Sequence, residues 1–152
     1  MGYITNLNAV YNTLYNIIVS AGIKNLRNFD VKLCKKGIPA KLSTTACPVV
    51  AIFKTNAEGN EIGTDQEDVE LPNNLKVTIG IVDFSQVSLD DAERYTDDLI
   101  DKLIVVLQSN PGLSNTAKGI LITRIAFDWE PVDNPWFSTP SMELEIICRE
   151  LD

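Results

Sequence analysis

The sequence contains no histidine and only three cysteines, so it lacks the side chains on which most enzymes and metal sites depend. Without imidazole, neither a Ser-His-Asp nor a Cys-His mechanism can be built within one chain. Cys34, Cys47 and Cys148 lack the CxxC spacing typical of zinc sites, and free cysteines usually pack as small apolar side chains. The sequence therefore predicts no catalytic centre, no metal site and no cofactor.

Carboxylates are the remaining groups that could do chemistry. Asp97 and Asp101 stand four residues apart, a spacing that places both on one helix face, where they could bind a divalent ion or simply face solvent. The acidic segment 58–70 lacks the D-x-D-x-D-G spacing of an EF-hand. An ion-binding module that uses this segment is one alternative function. A carboxylate-only enzyme is disfavoured, because no pair of carboxylates has a spacing that requires one.

Charge is unevenly distributed along the chain, whose net charge is −8. Residues 1–54 hold seven basic residues against one acidic residue, whereas residues 55–152 hold six basic and twenty acidic residues. The overall acidity disfavours general nucleic-acid binding, which usually relies on a basic surface. Should copies of the chain assemble with one another, a basic segment and an acidic loop are candidates for opposite sides of the contact, because opposite charges steer association. The residues expected in this contact are Lys24, Arg27, Lys32, Lys35, Lys36 and Lys41 on the basic side, and Glu58, Glu61, Asp65, Glu67, Asp68 and Glu70 on the acidic side.

Both tryptophans lie near one proline-rich segment, residues 130–140, which is expected to be a loop rather than a tight hairpin. Trp129 is expected to end a strand against the core. Trp136 and Phe137 are harder to bury within a polar loop. They either fold back as a lid over the sheet or form an anchor for a partner, since aromatic side chains are frequent hot spots in interfaces.

Hydrophobic periodicity predicts the elements that position these groups. Ser88 and Asp91 have the spacing of a capping box, with aspartate in place of glutamate, and mark the start of the second helix. Apolar residues on both faces of the segment 75–84 are typical of a central strand. The predicted elements are a helix over residues 4–21, a short strand near residues 31–35, strands over residues 49–54 and 75–84, a helix over residues 88–109, and strands over residues 119–129 and 141–149.

This order of elements predicts an α+β fold, with a mostly antiparallel sheet and two helices packed on one face. The 152 residues suffice for a single domain over residues 1–152, with residues 56–74 forming a long acidic loop within it. No apolar run reaches the length of about 18 residues that a membrane span needs. The first 20 residues lack the features of a signal peptide, which favours folding in the cytoplasm.

The layout resembles the tail terminator, or tail completion, family of long-tailed bacteriophages. The matching features are an N-terminal helix, a strand preceded by proline at residues 47–53, a long loop, a strand over residues 76–84 that leads into a helix, and a final strand pair separated by a loop with aromatic residues. The resemblance covers nearly the whole chain. It lies in size and element order, and the family has no catalytic motif to transfer.

The resemblance implies a structural virion protein that caps the head-proximal end of a phage tail tube as a ring, typically a hexamer. Such a ring ends tube polymerisation and forms the docking surface for the head connector. Its partners would be copies of itself, the tail tube protein and the head-tail connector or neck protein. DNA would pass through without specific binding, no membrane would be involved, and assembly would take place in the host cytoplasm. The alternative within this class is another neck or tail-completion component, such as a connector.

Overall fold

A computed structural model describes residues 7–35, 43–58, 74–130 and 135–148, except for the side chains of Glu58 and Glu130. Within these ranges the chain forms two helices and seven strands, and the predicted α+β class is confirmed. In chain order the elements are α1 (Leu7–Ala21), β1 (Lys32–Cys34), β2 (Val49–Glu58), β3 (Asn74–Ser85), α2 (Leu89–Gln108), β4 (Ala117–Ala126), β5 (Trp129–Glu130), β6 (Trp136–Ser138) and β7 (Ser141–Cys148).

The sheet is arranged around β3, which is the central strand that its two apolar faces predict. β2 lies on one side of β3, and β7 and β6 lie one after the other on its other side. β1 pairs with the outer edge of β2 in parallel, whereas the other strand pairings of the described residues are antiparallel. β4 lies beside β7, and β5 lies beside β6. β1 therefore forms one edge of the sheet, and β4 and β5 together form the opposite edge.

The core lies between both helices and one face of the sheet. Side chains alternate between the two faces of a strand, so every second residue of β3 and β7 points into the core. The Tyr11 hydroxyl donates a hydrogen bond to the carbonyl oxygen of Ile52, which ties α1 to β2. Both helices, three strands and the turn after α2 supply the largest fully buried side chains, which are Leu14, Ile18, Ile52, Leu75, Ile79, Ile81, Leu99, Leu103, Leu113, Met142, Leu144 and Ile146.

The helix ends follow the local sequence. Gly22, with φ of 60°, occupies the left-handed position that ends α1. The Ser88 side chain accepts a hydrogen bond from the backbone N–H of Asp91 at 3.1 Å, so the predicted N-cap is confirmed. The Asp91 carboxylate accepts hydrogen bonds from Ser85 and from Arg94, each at 2.7 Å, which fixes the connection between β3 and α2. Neither described helix combines the length and the apolar character that crossing a membrane requires.

The acidic loop predicted over residues 56–74 is shorter than expected, because residues at both of its ends belong to strands. β2 continues past Lys54 to Glu58, because beyond an irregularity it pairs again with β3 as far as Asn74. Positions 56–58 and 74 therefore belong to strands, and residues 59–73 lie outside the described residues.

The prediction that residues 130–140 form a loop rather than a tight hairpin is wrong for residue 130 and residues 136–138, which lie in strands. Three of these residues form β6, which pairs with β3 on one side and with β5 on the other. The chain therefore leaves along β5 and returns along β6 as a short antiparallel hairpin. Pro140 is buried at the junction of β6 and β7, and its carbonyl oxygen accepts a hydrogen bond from the N–H of Ile81.

Candidate interaction surfaces

Arg27, one of the predicted interface cations, is engaged within the fold. Its Nη2 atom lies 2.5 Å from Oδ1 of Asp83, whose side chain is fully buried. The guanidinium also lies over two rings, 4.4 Å from the centroid of Phe84 and 4.7 Å from that of Tyr95. A cation with these partners contributes to folding. Arg27 is thus held within the fold, and its expected place in an interface stays a prediction.

Asp83 is a residue that the sequence analysis missed. It accepts hydrogen bonds from Nδ2 of Asn25 at 3.1 Å and from the backbone N–H of Phe84 at 2.9 Å, in addition to Arg27. Burial raises the pKa of the Asp83 carboxyl above its ordinary value, although these donors and the Arg27 charge oppose that shift. The available signal was its place in the inward alternation that runs through Ile81 of β3.

Asn25 holds the turn that carries Arg27. The Asn25 side chain is almost fully buried, and its Oδ1 atom accepts hydrogen bonds from the backbone N–H groups of Arg27 and Phe29, each at 3.0 Å. Together with its bond to Asp83, this arrangement anchors the segment that follows α1 to the sheet. The cluster formed by Asn25, Arg27 and Asp83 is therefore a structural anchor.

The other described cations of the basic segment are exposed, and each has a local partner. Nζ of Lys24 lies 3.9 Å from Oδ1 of Asp30, and Nζ of Lys35 lies 4.6 Å from the ring centroid of Tyr15. Nζ of Lys32 donates a hydrogen bond to the backbone carbonyl oxygen of Thr45. The contact between this segment and the acidic loop stays a prediction. Outside the described residues lie Lys36, Lys41, Glu61, Asp65, Glu67, Asp68 and Glu70, and Glu58 is described only as backbone within β2.

The exposures of the aromatic residues near the end of the chain differ in part from those expected. Phe137 is only 5% exposed, because the pairing of β6 with β3 brings it beside Phe84, with the ring centroids 6.2 Å apart. Phe127 is 69% exposed because it lies in the break after β4, and Trp129 is 48% exposed because it lies on β5, an outer strand of the sheet. The burial of Phe137 against β3 favours the lid over the anchor, the two alternatives open for it, and the burial expected of Trp129 is wrong. Trp136 is half-buried, and its role as an anchor stays a prediction.

The edge of the sheet formed by β4, and the residues just beyond it, carry several exposed apolar side chains. β4 pairs with β7, and no strand of the described chain covers its other side. Leu121 and Ile122 on β4 are exposed, as are Phe127 and Trp129 just beyond it, and Arg124 among them supplies a positive charge. We refer to these five residues as the β4 edge. An unpaired edge with large apolar side chains is typical of a surface that contacts another chain.

A groove runs along the exposed side of α2, beside the loop that follows α1. Its acidic part has a volume of about 430 Å³ and is lined by Asp97, Asp101 and Leu26, among others. It adjoins an apolar part of about 410 Å³ that Ile23 and Val105 help to line, and Asp101 borders both. Asp97 and Asp101 are exposed, and within the described part of the chain neither forms an ion pair. We refer to this feature as the α2 groove.

The described residues include no group of three or more His, Cys, Asp or Glu side chains that could hold a metal ion. The cysteines are free, and two of them have unreactive surroundings. Burial raises the pKa of the Cys148 thiol, and burial together with the nearby Asp83 charge raises that of Cys47 to about 12. Both thiols are therefore protonated at neutral pH, a form that is a poor nucleophile and a poor metal ligand.

Sequence comparisons give no relative: no protein-family model matches the chain, and no curated protein is significantly similar to it. The resemblance to tail terminators accordingly rests on size and element order. Within the described residues, two surfaces are candidates for contact with a partner: the β4 edge and the α2 groove.

Proposed function

We propose that this chain is a structural virion protein that assembles as a ring on the head-proximal end of a phage tail tube. The ring ends tube polymerisation and forms the docking surface for the head connector. Its partners are copies of itself, the tail tube protein and a head-tail connector or neck protein. The proposal assigns no catalytic role to any residue.

The β4 edge is the observation that carries this proposal. Phe127 and Trp129 are large side chains whose burial against another protein would stabilise a contact, since aromatic residues are enriched in interface hot spots. The outer edge of β4 also offers backbone groups that another chain can pair with. A solvent-exposed edge of this kind favours aggregation unless a partner or an assembly covers it.

The element order and the net charge also support the proposal. A helix, the strands β1 to β3, a second helix and a final group of strands follow one another in the order that the resemblance to the phage family implies. The net charge of −8 disfavours adhesion to a polyanion, which suits a ring through which DNA passes without specific binding.

The experiment that tests the proposal adds the purified protein to polymerising tail tube protein of the same phage. We expect shorter tubes as the concentration of the protein rises, with gold-labelled protein at one end of each tube in electron micrographs. A ring should be visible at that end. Val87→Asp is a suitable control, because Val87 is 81% exposed and lies outside the β4 edge, so this variant should act as the wild type does.

Two outcomes would contradict the proposal. Tubes of unchanged length would show that the protein does not end polymerisation, and label along the whole tube would identify a component of the tube wall. Label found only on the connector of purified particles, at a copy number unlike that of the tube ring, would favour the alternative of a neck component. A calcium titration by calorimetry tests the ion-binding alternative, which a flat titration eliminates.

A further inference from the structure

We propose that the β4 edge of one copy docks in the α2 groove of the next copy, so that copies associate head to tail. This inference rests on the proposed function and deepens it by naming the self-contact. The two surfaces belong to different parts of the same chain. Such a contact is heterologous, and its repetition closes into a ring when the rotation between neighbours permits it.

The two surfaces are complementary in charge. On the β4 edge Arg124 is exposed and stands opposite Glu143 of β7 in the strand register, and the α2 groove presents the carboxylates of Asp97 and Asp101. The charge of each would meet its opposite on the neighbouring copy, and the planar guanidinium suits carboxylate recognition. Arg27 is unsuited to this contact, because the buried Asp83 already holds it.

The two surfaces are also complementary in apolar character. Phe127 is the more exposed aromatic residue of the β4 edge, and the apolar part of the α2 groove is lined by the exposed Val105 and by Ile23. This part of the groove is shallow and open to solvent, so a phenylalanine ring can lie against it without entering an enclosed cavity. Burying Phe127 there would remove two apolar surfaces from water at the same time.

The spacing of these features matches along both surfaces. Three residues of extended chain separate Arg124 from Phe127, which corresponds to about 10 Å. Along α2, Val105 lies about 12 Å from Asp97 and about 6 Å from Asp101, given the rise of a helix. Because residues three positions apart on a strand point to opposite faces, Arg124 and Phe127 meet the two parts of the groove together only through the break that follows Ala126, where β4 ends.

The test uses two variants that each disable one surface. Arg124→Glu with Phe127→Asp disables the β4 edge, and Ala21→Asp with Val105→Asp disables the α2 groove. The side chains of Phe127 and Val105, and the residues Arg124 and Ala21, are exposed, so both variants should fold, which circular dichroism checks. By sedimentation velocity we expect each variant alone to associate about 100-fold more weakly than the wild type. Val87→Asp serves again as the control and should associate as the wild type does.

An equimolar mixture of the two variants gives the decisive result. The groove of the first variant and the edge of the second are intact, so we expect one contact per pair and a dimer that grows no further. The two disabled surfaces both carry added acidic residues and repel each other. A contact between two β4 edges would instead let the groove variant dimerise alone, which would overturn the proposal.

Other outcomes also decide between this contact and its alternatives. Variants that associate as the wild type does would overturn the contact, while a ring on the tube end would still support the proposed function. A wild-type protein that is monomeric up to about 1 mM would overturn the self-contact. If the edge variant then loses binding to tube protein, the β4 edge belongs to the tube contact. Only one outcome supports the head-to-tail contact: the mixture forms dimers, and neither variant associates by itself.

Discussion

At the scale of single residues, the ion pair between Arg27 and Asp83 requires the burial of a carboxylate, which costs free energy, and brings that carboxylate close to the guanidinium. Taking a carboxylate out of water costs several kcal/mol, which a paired cation and further hydrogen bonds offset only when the geometry is good. Asp83 has such surroundings, with Asn25 and a backbone N–H as additional donors. The contribution of the Arg27 guanidinium to the free energy of unfolding should therefore depend strongly on the Asp83 carboxylate, and the reverse should also hold.

We expect Arg27→Met to lower the free energy of unfolding by about 3 kcal/mol, because it leaves the Asp83 carboxylate buried without its cation. The change Asp83→Asn, added to Arg27→Met, should restore part of that loss, since an amide carries no charge. Urea unfolding of both single variants and the double variant measures this coupling as a double-mutant cycle. Additive effects of the two changes would contradict the coupling.

Lys24 provides a matched control for this cycle. Its ion pair with Asp30 is longer, at 3.9 Å, and both side chains are exposed. Exposed pairs of this kind contribute little to stability, so Lys24→Met should change the free energy of unfolding by less than about 0.5 kcal/mol.

At the scale of elements, the turn between α2 and β4 is the most strained part of the described backbone. Leu113, Ser114 and Asn115 have φ values of 44°, 53° and 72°, so three consecutive residues that are not glycine lie in the left-handed region. Each such residue costs roughly 1–2 kcal/mol relative to a right-handed conformation. Leu113 is fully buried, and its packing into the core offsets this cost.

We expect Ser114→Gly to raise the free energy of unfolding by about 0.5 kcal/mol. Glycine relieves the left-handed strain, but it loses more conformational entropy on folding, which offsets part of the gain. The Ser109→Gly variant is the control, because Ser109 ends α2 with φ of −79° and has no such strain to relieve. Thermal and urea unfolding compare the two. A loss of stability in Ser114→Gly as large as that in the control would contradict this account.

The sequence predicts the elements whose signals are local. The alternation of β7 and the N-cap at Ser88 each follow from residues close together in the chain, and both are confirmed. The central position of β3 follows from its two apolar faces, because a strand covered on both faces has few polar positions. Even Asp83 occupies the inward position that the alternation of β3 predicts.

The elements that the sequence does not predict depend on distant partners. β6 is short and follows a proline-rich segment, and its strand structure arises from pairing with β3, which is remote in sequence. That pairing buries Phe137, the break after β4 leaves Phe127 exposed, and the outer position of β5 leaves Trp129 exposed. The β4 edge was missed for the same reason, since a long apolar strand gives no local sign of whether one neighbour or two will cover it.

At the scale of the whole molecule, folding changes the significance of the charge asymmetry in the sequence. The basic segment is partly engaged internally, through Arg27 and through the contact of Lys35 with Tyr15. The acidic residues of α2 remain exposed beside an apolar groove. An assembly of such chains should therefore combine apolar contacts, which salt does not weaken, with ionic contacts, which it does.

We expect association to weaken as the salt concentration rises above about 0.15 M, where screening acts over the distance of an interfacial ion pair. Reversing the charges of Lys35 and Lys36 should weaken it further if the basic segment meets the acidic loop of a neighbour. Lys54→Glu is the matched control, because Lys54 lies over the ring of Tyr11 much as Lys35 lies over that of Tyr15, but outside the basic segment. Sedimentation that responds to salt but not to the reversal would assign the ionic contribution to the α2 groove. Sedimentation that responds to neither would leave an assembly held by the apolar residues of the β4 edge.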